Sequence, residues 1–348
     1  MLVSEFDFDL PEELIAQVPC ETRDAARLLV LDRQTGSLSH RHVVDLPDLL
    51  APGDVLVVND TRVIAARLLG VREPTGGAVE CLLLTRIDED HWEALMHPGQ
   101  KLRVGGVAWF EGDGGRLYVE VLERRFYGRR RIRLWTVDGA SVDEVIERLG
   151  HVPLPPYIRR SDVLDDRERY QTVYASVPGS VAAPTAGLHL TEPLLDRLRD
   201  RGIETVKITL HVGYGTFQPI RVEKVADHRI ESEPYDIPEE TVVVVQRALT
   251  AGRRVVAVGT TTTRTLETAS RRGSGRVHPG AGVSDLYLYP GSRFHVVGGL
   301  FTNFHLPQSS LLMLVSAFAG RERTLAAYAE AVRQRYRFYS YGDAMVVL

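Results

Sequence analysis

The chain has 348 residues, of which 44% are hydrophobic and 25% charged, and its formal net charge is −4. These values are ordinary for a soluble globular protein of two or three domains. They exclude an overall basic surface, so a nucleic-acid partner would need a local patch. The acidic N-terminus is no signal peptide, no apolar run approaches a membrane span, and Cys20 and Cys81 lack zinc spacing. We therefore expect a cytoplasmic protein without a membrane segment or a disulfide framework.

The N-terminal part has an α/β pattern. Residues 11–17 are predicted to form a short helix, and the apolar runs 26–32 and 54–59 are predicted to be buried strands. The second run leads into Asp60, Thr61 and Arg62, and α/β sheets commonly bind ligands at the carboxyl ends of strands. Asp60 and Arg62 are therefore candidate binding residues. The alternative is that this segment only forms a turn.

The middle of the chain changes in character, with short alternating stretches between turns rich in Gly, Pro or Asp. The predicted strands cover residues 67–72, 78–87, 91–97, 102–110, 117–123 and 130–137. Because α/β sequence lies on both sides, we predict an antiparallel β-barrel domain of residues 66–149. This barrel would be inserted in a larger, discontinuous α/β domain of residues 1–65 and 150–348.

An arginine-rich segment of the predicted barrel, E-R-R-F-Y-G-R-R-R-I-R-L-W from 123 to 135, interleaves six Arg with Phe126, Tyr127 and Trp135. Guanidinium groups can bind an RNA backbone, and aromatic rings can stack on its bases. The alternative interpretation is a charged hairpin that binds nothing. A second basic candidate is the proline-rich loop at 150–160, which carries Arg159 and Arg160.

In the second half, small residues at 181–187 lead to His189, and a predicted strand at 203–210 runs into His211. Another predicted strand ends at Gly259 and is followed by a hydroxyl-rich turn, Thr260, Thr261, Thr262, Thr263 and Arg264. Free N–H groups at such a helix start bind anions, so a carboxylate or a phosphate is the expected ligand. The alternative is that the threonines only cap the helix. Residues 286–289 and 293–297 are predicted to be paired strands.

The stretch from 300 to 320 combines polar residues, Asn303 and His305 among them, with an apolar helix that Ser309 or Ser310 can cap. His189, His211 and His305 can act as acids or bases near neutral pH, although a core histidine satisfied by backbone bonds is the commoner fate. No metal-ligand spacing and no G-x-S-x-G elbow occur. The residues alone indicate an α/β enzyme with an anion-binding pocket, and they do not indicate a reaction.

Ordered motifs over the whole length resemble one family. They include N-D-T-R-V-I-A-A-R-L, G-H-V-P-L-P-P-Y-I, Y-Q-T-V-Y-A, A-A-P-T-A-G-L-H-L-T, H-V-G-Y-G-T-F-Q-P, H-R-I-E-S-E, G-T-T-T-T-R-T-L-E and T-N-F-H-L-P-Q-S-S-L-L-M-L-V-S-A-F-A-G. In these the chain is similar to the S-adenosylmethionine:tRNA ribosyltransferase-isomerases of queuosine biosynthesis. Leu190, Tyr214 and Gly298 depart from the family pattern.

The resemblance implies an α/β domain with an inserted β-barrel. It also implies transfer of the ribosyl part of S-adenosylmethionine to 7-aminomethyl-7-deazaguanine at the tRNA wobble position. Isomerisation would give epoxyqueuosine, with release of adenine and methionine. S-adenosylmethionine is then a co-substrate, the anticodon stem-loop is the partner, no metal is needed, and we expect a monomer. A methyltransferase and a non-catalytic RNA-binding protein are the competing interpretations.

This chemistry assigns roles to the candidate residues. A base must remove a C5′ proton made acidic by the sulfonium, and the candidates are His189, His211, His305, Glu231 and Glu233. Donor binding is expected at Thr260, Thr261, Thr262, Thr263, Arg264, Asn303, Asp60 and Arg62. RNA binding is expected at Arg129, Arg130, Arg131, Arg159 and Arg160.

Overall fold

A computed structural model describes residues 1–112, 115–217 and 219–348, with the side chains of all of these except Tyr127, Thr216 and Phe217. Tyr127 as a stacking candidate and Gln218 of the H-V-G-Y-G-T-F-Q-P motif therefore lie outside the described parts.

The strands in these ranges are β1 Arg27–Leu31, β2 Leu38–His42, β3 Val55–Asn59, β4 Thr61–Val63, β5 Arg67–Arg72, β6 Gly77–Arg86, β7 His91–His97, β8 Val107–Gly112, β9 Gly115–Arg124, β10 Arg129–Trp135, β11 Val177–Ser180, β12 Glu204–Leu210, β13 Glu233–Ile237, β14 Val255–Val258, β15 Gly280–Ser284, β16 Gly299–Asn303 and β17 Ala344–Val347. The α-helices are α1 Leu46–Leu49, α2 Val142–Leu149, α3 Asp166–Arg169, α4 Glu192–Asp200, α5 Glu239–Thr250, α6 Thr260–Arg272, α7 Ser310–Ala319 and α8 Arg321–Arg333.

Within the described residues a nine-stranded mixed sheet has the order β15-β13-β12-β3-β14-β16-β17-β1-β2. Strands β12, β3, β14 and β16 are parallel, so their carboxyl ends share one edge. Alternate residues of β3 pack on opposite faces, Val55 and Val57 against α5 and α6, and Leu56 and Val58 against α4. Because helices cover both faces, the central strands are apolar on both sides and show no alternation.

The arginine-rich region belongs to a closed antiparallel barrel in the order β10-β7-β6-β5-β8-β9. Its inward side chains form a separate core that includes Phe110 and Val119, and α2 adds Val145 and Ile146. The predicted fold class, an α/β structure with an inserted antiparallel β-barrel, is confirmed. The domain boundaries at 65/66 and 149/150 stay predictions.

Two predicted elements are wrong. The helix at 11–17 is reduced to a single 3₁₀ turn, Glu12–Leu14. The strand pair at 286–289 and 293–297 does not form, and β15 lies before it in the chain. The reason is the buried carboxylate of Glu267 on α6, which accepts backbone N–H bonds from His295, Val296 and Val297 at 2.8, 2.9 and 3.0 Å. These donors are satisfied by a side chain and need no partner strand.

Hydroxyl side chains cap two helices, and the cap of α7 is one of the two residues predicted for it. Thr191 accepts a hydrogen bond from the N–H of Leu194 at the start of α4, and Ser309 accepts one from Leu312 at the start of α7. The apolar α7 is buried in the core, as its sequence predicts. Among the described residues, each helix is too short or too polar to span a bilayer.

Candidate active site

Two cavities adjoin at Val212, the residue after His211. The smaller cavity, about 540 Å³, lies at the carboxyl ends of β14 and β16. The larger cavity, about 970 Å³, lies between the barrel and the segments that follow β12 and precede β13. Val212 lines both cavities. Binding sites at the carboxyl edge of an open α/β sheet are the general rule, so the smaller cavity is the first candidate for a small molecule.

The start of α6 forms one wall of the smaller cavity. Gly259 joins β14 to α6 with φ of +91°, a conformation that other residues adopt only with strain. Thr260 and Thr261 in the first turn line the cavity, where the helix N-terminus favours a negative group. Thr262 and Thr263 instead donate to the carbonyls of Val258 and Gly259 at 2.8 and 3.1 Å. Of the four threonines predicted to bind the donor, these last two lie outside the cavity lining.

Asn303 lines the smaller cavity at the end of β16 and has His189 behind it. Its amide nitrogen donates to His189 Nε2 at 2.9 Å, and its amide oxygen accepts from Thr185 Oγ1 at 3.1 Å. Complete burial lowers the pKa of His189 to about 4, so the imidazole is neutral at pH 7. His189 does not line either large cavity, and its ring contacts the Asn303 amide from behind the cavity wall.

His305 also lines the smaller cavity. Its Nε2 lies 2.9 Å from Thr302 Oγ1, and its backbone N–H donates to the Tyr328 hydroxyl. Burial lowers the pKa of His305 to about 3. A ring with so low a pKa is a weak base at pH 7, although it can still exchange hydrogen bonds with a ligand.

His211 faces the larger cavity. Thr61 Oγ1 lies 2.8 Å from His211 Nδ1, which fixes the ring and leaves Nε2 for another partner. The ring packs against Gly179, where a Cβ would come within 2.8 Å of it. Burial lowers the pKa of His211, whereas the charge of nearby Asp60 opposes that shift. The imidazole is neutral at pH 7 and less deeply buried than the other two histidines.

Arg264 and Glu233 form a buried ion pair, with 2.6 Å between Arg264 Nη1 and Glu233 Oε2. Arg264 also donates to the carbonyls of Ser284 and Leu286, each at 3.2 Å. Glu233 accepts the backbone N–H of Gly213 at 2.8 Å and lines the larger cavity. Arg264 does not line the smaller cavity, so the predicted direct contact with the donor is replaced by a link between α6, β13 and the turn after His211.

Asp60 and Arg62 are not part of either cavity lining. The carboxylate of Asp60 accepts hydrogen bonds from Ser176 Oγ and Thr209 Oγ1, each at 2.7 Å. Arg62 is half exposed and lies 3.7 Å from Glu147 of α2. Asp60 therefore joins three segments near His211, and the structure does not bring Arg62 to the smaller cavity.

Glu231 connects the larger cavity to the barrel. Its carboxylate pairs with Arg129 of β10, which also donates to Glu93 of β7 at 2.8 Å. Glu231 is partly exposed, and both it and Arg129 line the cavity. The pair thus bridges the two sides of the larger cavity at a position open to solvent.

The other predicted RNA-binding arginines differ in availability. Arg130 points to the barrel interior and donates to the carbonyls of Gly99 and Gly128, each at 2.5 Å. Arg160 is paired with buried Asp166 at 2.6 Å. Arg131 is half-buried, and Arg159 is exposed and paired with Glu12. Arg130 and Arg160 are thus bonded within the chain, and Arg129 and Arg159 are paired with carboxylates. RNA binding by the five arginines stays a prediction.

An aromatic pair in the smaller cavity had no predicted role. Tyr157 of the proline-rich loop and Tyr339 near the C-terminus line it, with ring centroids 3.9 Å apart. Tyr339 has φ of +73°, which is rare for a residue other than glycine and marks a constrained position. The prolines on either side of Leu154 were the sequence signal that this loop is rigid.

These features define an α/β enzyme with a small-molecule cavity at the edge of its sheet and a second cavity that opens towards a β-barrel. Within the described residues, no cluster of three or more His, Cys, Asp or Glu could hold a metal ion. The chain belongs to the queuosine biosynthesis protein family, whose model matches residues 3–347.

Relatives and a solved structure give the same result. The chain is 54% identical to the S-adenosylmethionine:tRNA ribosyltransferase-isomerase of Symbiobacterium thermophilum and 52% identical to that of Desulfitobacterium hafniense, each over the full length of both chains. It is 37% identical to the S-adenosylmethionine tRNA ribosyltransferase of Thermotoga maritima, whose crystal structure it matches with a TM-score of 0.56 over 99% of this chain and 100% of the other. These relatives are transferases by name.

Proposed function

We propose that the chain transfers the ribosyl moiety of S-adenosylmethionine to 7-aminomethyl-7-deazaguanine at the wobble position of tRNA and isomerises it. The product is epoxyqueuosine-tRNA, and adenine and methionine are released. The observation that carries the proposal is the pair of adjoining cavities at Val212, in a chain similar over its whole length to enzymes of that name. A two-substrate reaction needs two sites that meet at the reacting atoms. The proposal extends to a cytoplasmic monomer that needs no metal.

The donor is assigned to the smaller cavity. The methionyl carboxylate would lie at the N-terminus of α6, where Thr260 and Thr261 line the wall. The adenine ring would lie against Tyr157 and Tyr339, whose faces offer a stacking surface. Neutral His305 is compatible with the nearby sulfonium, because a protonated imidazole would repel it.

His211 is the proposed base. Its Nε2 is free of the Thr61 contact, its ring is neutral at pH 7, and it precedes the residue shared by both cavities. It would take a C5′ proton that the sulfonium makes acidic. Departing adenine needs a proton or a hydrogen-bond donor. Asn303 is not assigned that role, because its amide nitrogen already donates to His189 Nε2 at 2.9 Å and to the Tyr339 carbonyl at 3.2 Å.

The modified wobble base is assigned to the larger cavity. Carboxylates of Glu93, Asp143, Glu147 and Glu231 line it and would attract the protonated aminomethyl group of the acceptor. The anticodon stem-loop would lie along the barrel, where Arg129 and Arg131 can meet its phosphates.

The test is product chemistry. Purified protein is incubated with S-adenosylmethionine and tRNA that carries 7-aminomethyl-7-deazaguanine, and the digested tRNA is analysed by mass spectrometry. We expect a ribosyl-derived addition and equal amounts of free adenine and methionine. A tRNA with guanine at the wobble position is the matched control and should give no product. Addition of a methyl group would support a methyltransferase, and salt-sensitive binding without turnover would support a non-catalytic RNA-binding protein.

A further inference from the structure

Phe126 is the most exposed large apolar side chain of the described residues, at 87% exposure. It starts the 3₁₀ turn Phe126–Gly128 that joins β9 to β10. It also lines the larger cavity, so its ring stands at the open edge of that cavity. An exposed phenyl ring at a cavity edge loses contact with water only when a ligand covers it.

Exposure alone does not identify a binding residue, because single exposed apolar side chains are normal on protein surfaces. Leu164 and Val137 are 83% and 73% exposed and line none of the described cavities. Phe126 differs because it lies between Arg125 and Arg129, which line the same cavity. An aromatic ring flanked by guanidinium groups is the combination that binds single-stranded nucleic acid, through stacking on a base and contact with phosphates.

The carboxylates beside Phe126 do not prevent such binding. Arg125 is 3.3 Å from Glu93 and 3.4 Å from Glu123, and it is 41% exposed. The pair with Glu123, which is 52% exposed, is of the kind that stabilises a protein little, and Glu93, which is 15% exposed, keeps Arg129 as a partner. A phosphate can therefore replace a carboxylate at Arg125 without a large loss of stability.

We propose that Phe126 is a stacking platform for one unpaired base of the anticodon loop, next to the wobble base held in the larger cavity. The proposal rests on the proposed function for its partner and adds a binding residue for that partner. The bases of a loop can be splayed apart, whereas those of a duplex are stacked on each other, so a single exposed ring selects loop RNA. Stacking accepts any base, so Phe126 adds affinity for the loop and little preference for its sequence.

The first test compares Phe126→Ala, Phe126→Leu and Phe126→Trp, with Leu164→Ala as the matched control for loss of an exposed apolar side chain. We expect Phe126→Ala and Phe126→Leu to raise the KM for tRNA about tenfold, the usual scale for one stacked base. The KM for S-adenosylmethionine and the melting temperature should not change. Phe126→Trp should keep the wild-type KM. A wild-type KM for tRNA in either Phe126→Ala or Phe126→Leu would overturn the proposal.

The second test separates this proposal from the proposed function, because it measures only binding. The Kd of labelled anticodon stem-loops is measured for wild type and Phe126→Ala, with each loop nucleotide in turn made abasic. One abasic position should weaken wild-type binding to the level of the variant and have no effect on the variant, as expected for a contacting pair. If every abasic loop weakens both proteins equally, Phe126 stacks on no base. An absence of turnover would overturn the proposed function and leave this result intact.

Discussion

Arg264 on α6 and Glu233 on β13 form an ion pair with side chains that are only 8% and 4% exposed. Because both charges are out of water, each depends on the other for its stability in the fold. Their position next to the larger cavity suggests that they hold the turn after His211 in place, since Glu233 also binds the N–H of Gly213.

Arg264→Leu should therefore act first on stability. We expect the free energy of unfolding to fall by about 3–5 kcal/mol, because the substitution removes the guanidinium charge that faces the buried Glu233 carboxylate. Urea unfolding measures the change. The control is Arg247→Leu, which removes an exposed pair with Glu204 and should cost less than about 1 kcal/mol. Equal effects of the two substitutions would contradict a structural role for Arg264.

His211→Gln should leave the fold intact and lower kcat about a hundredfold or more, the scale of general base catalysis. His228→Gln is the control, since that ring is also half-buried with a lowered pKa but lines neither cavity. The pKa of His211 lies below its usual 6.5, so the wild-type rate should rise with pH below 6.5 and level off by pH 7. An unchanged acid limb in His211→Gln would assign the base elsewhere.

Stability should fall in acid because of the buried histidines. Burial lowers the folded-state pKa of His189 to about 4 and of His305 to about 3, against 6.5 when unfolded. Below pH 6.5 the unfolded chain binds protons that the folded chain does not, so stability decreases from pH 6.5 down to those values. Each of these two histidines should lower the free energy of unfolding at pH 5 by about 2 kcal/mol.

The measurement is the free energy of unfolding at pH 7.5 and pH 5. His305→Gln should reduce the difference between the two pH values, whereas His42→Gln on an exposed ring should not. If the wild type, His305→Gln and His42→Gln lose the same free energy of unfolding between pH 7.5 and pH 5, other groups cause the acid sensitivity.

Thr261→Val should raise the KM for S-adenosylmethionine about tenfold, the effect of losing one hydrogen bond to a charged carboxylate. The side chain keeps its shape, so the fold should not change. Thr265→Val is the matched control, because Thr265 lies one turn further along α6, is fully buried and donates to the carbonyl of Thr261. A larger effect from Thr265→Val than from Thr261→Val would move the donor away from this helix start.

The sequence predicted part of the sheet edge. Thr260 and Thr261 follow a predicted strand, and the carboxyl ends of parallel strands meet at one edge. Asn303 and His305 were predicted only as polar residues before the apolar helix, and strand β16 was not predicted. The barrel was also predictable, because inward and outward residues alternate along its strands. Both signals are local periodicities, which a single chain displays directly.

Pairings over long distances in the chain were not predictable. Arg264 and Glu233 are 31 residues apart, and each was assigned to the site because it is polar and close to a motif. Arg130 occupies an inward position of β10, where the alternation of inward and outward side chains predicts an apolar residue. Its stem follows the barrel wall, and its guanidinium reaches carbonyls at the end of the barrel. Such partners depend on the tertiary fold.

Glu267 fixes the register of β16 relative to α6, because its carboxylate binds three successive N–H groups just before that strand. The first turn of α6 and the end of β16 form neighbouring walls of the smaller cavity, so one side chain sets how Thr260 and Asn303 face each other. Changes of loop length should therefore be tolerated before His295. A single residue inserted between Val297 and Asn303 would turn Asn303 to the opposite face of the sheet.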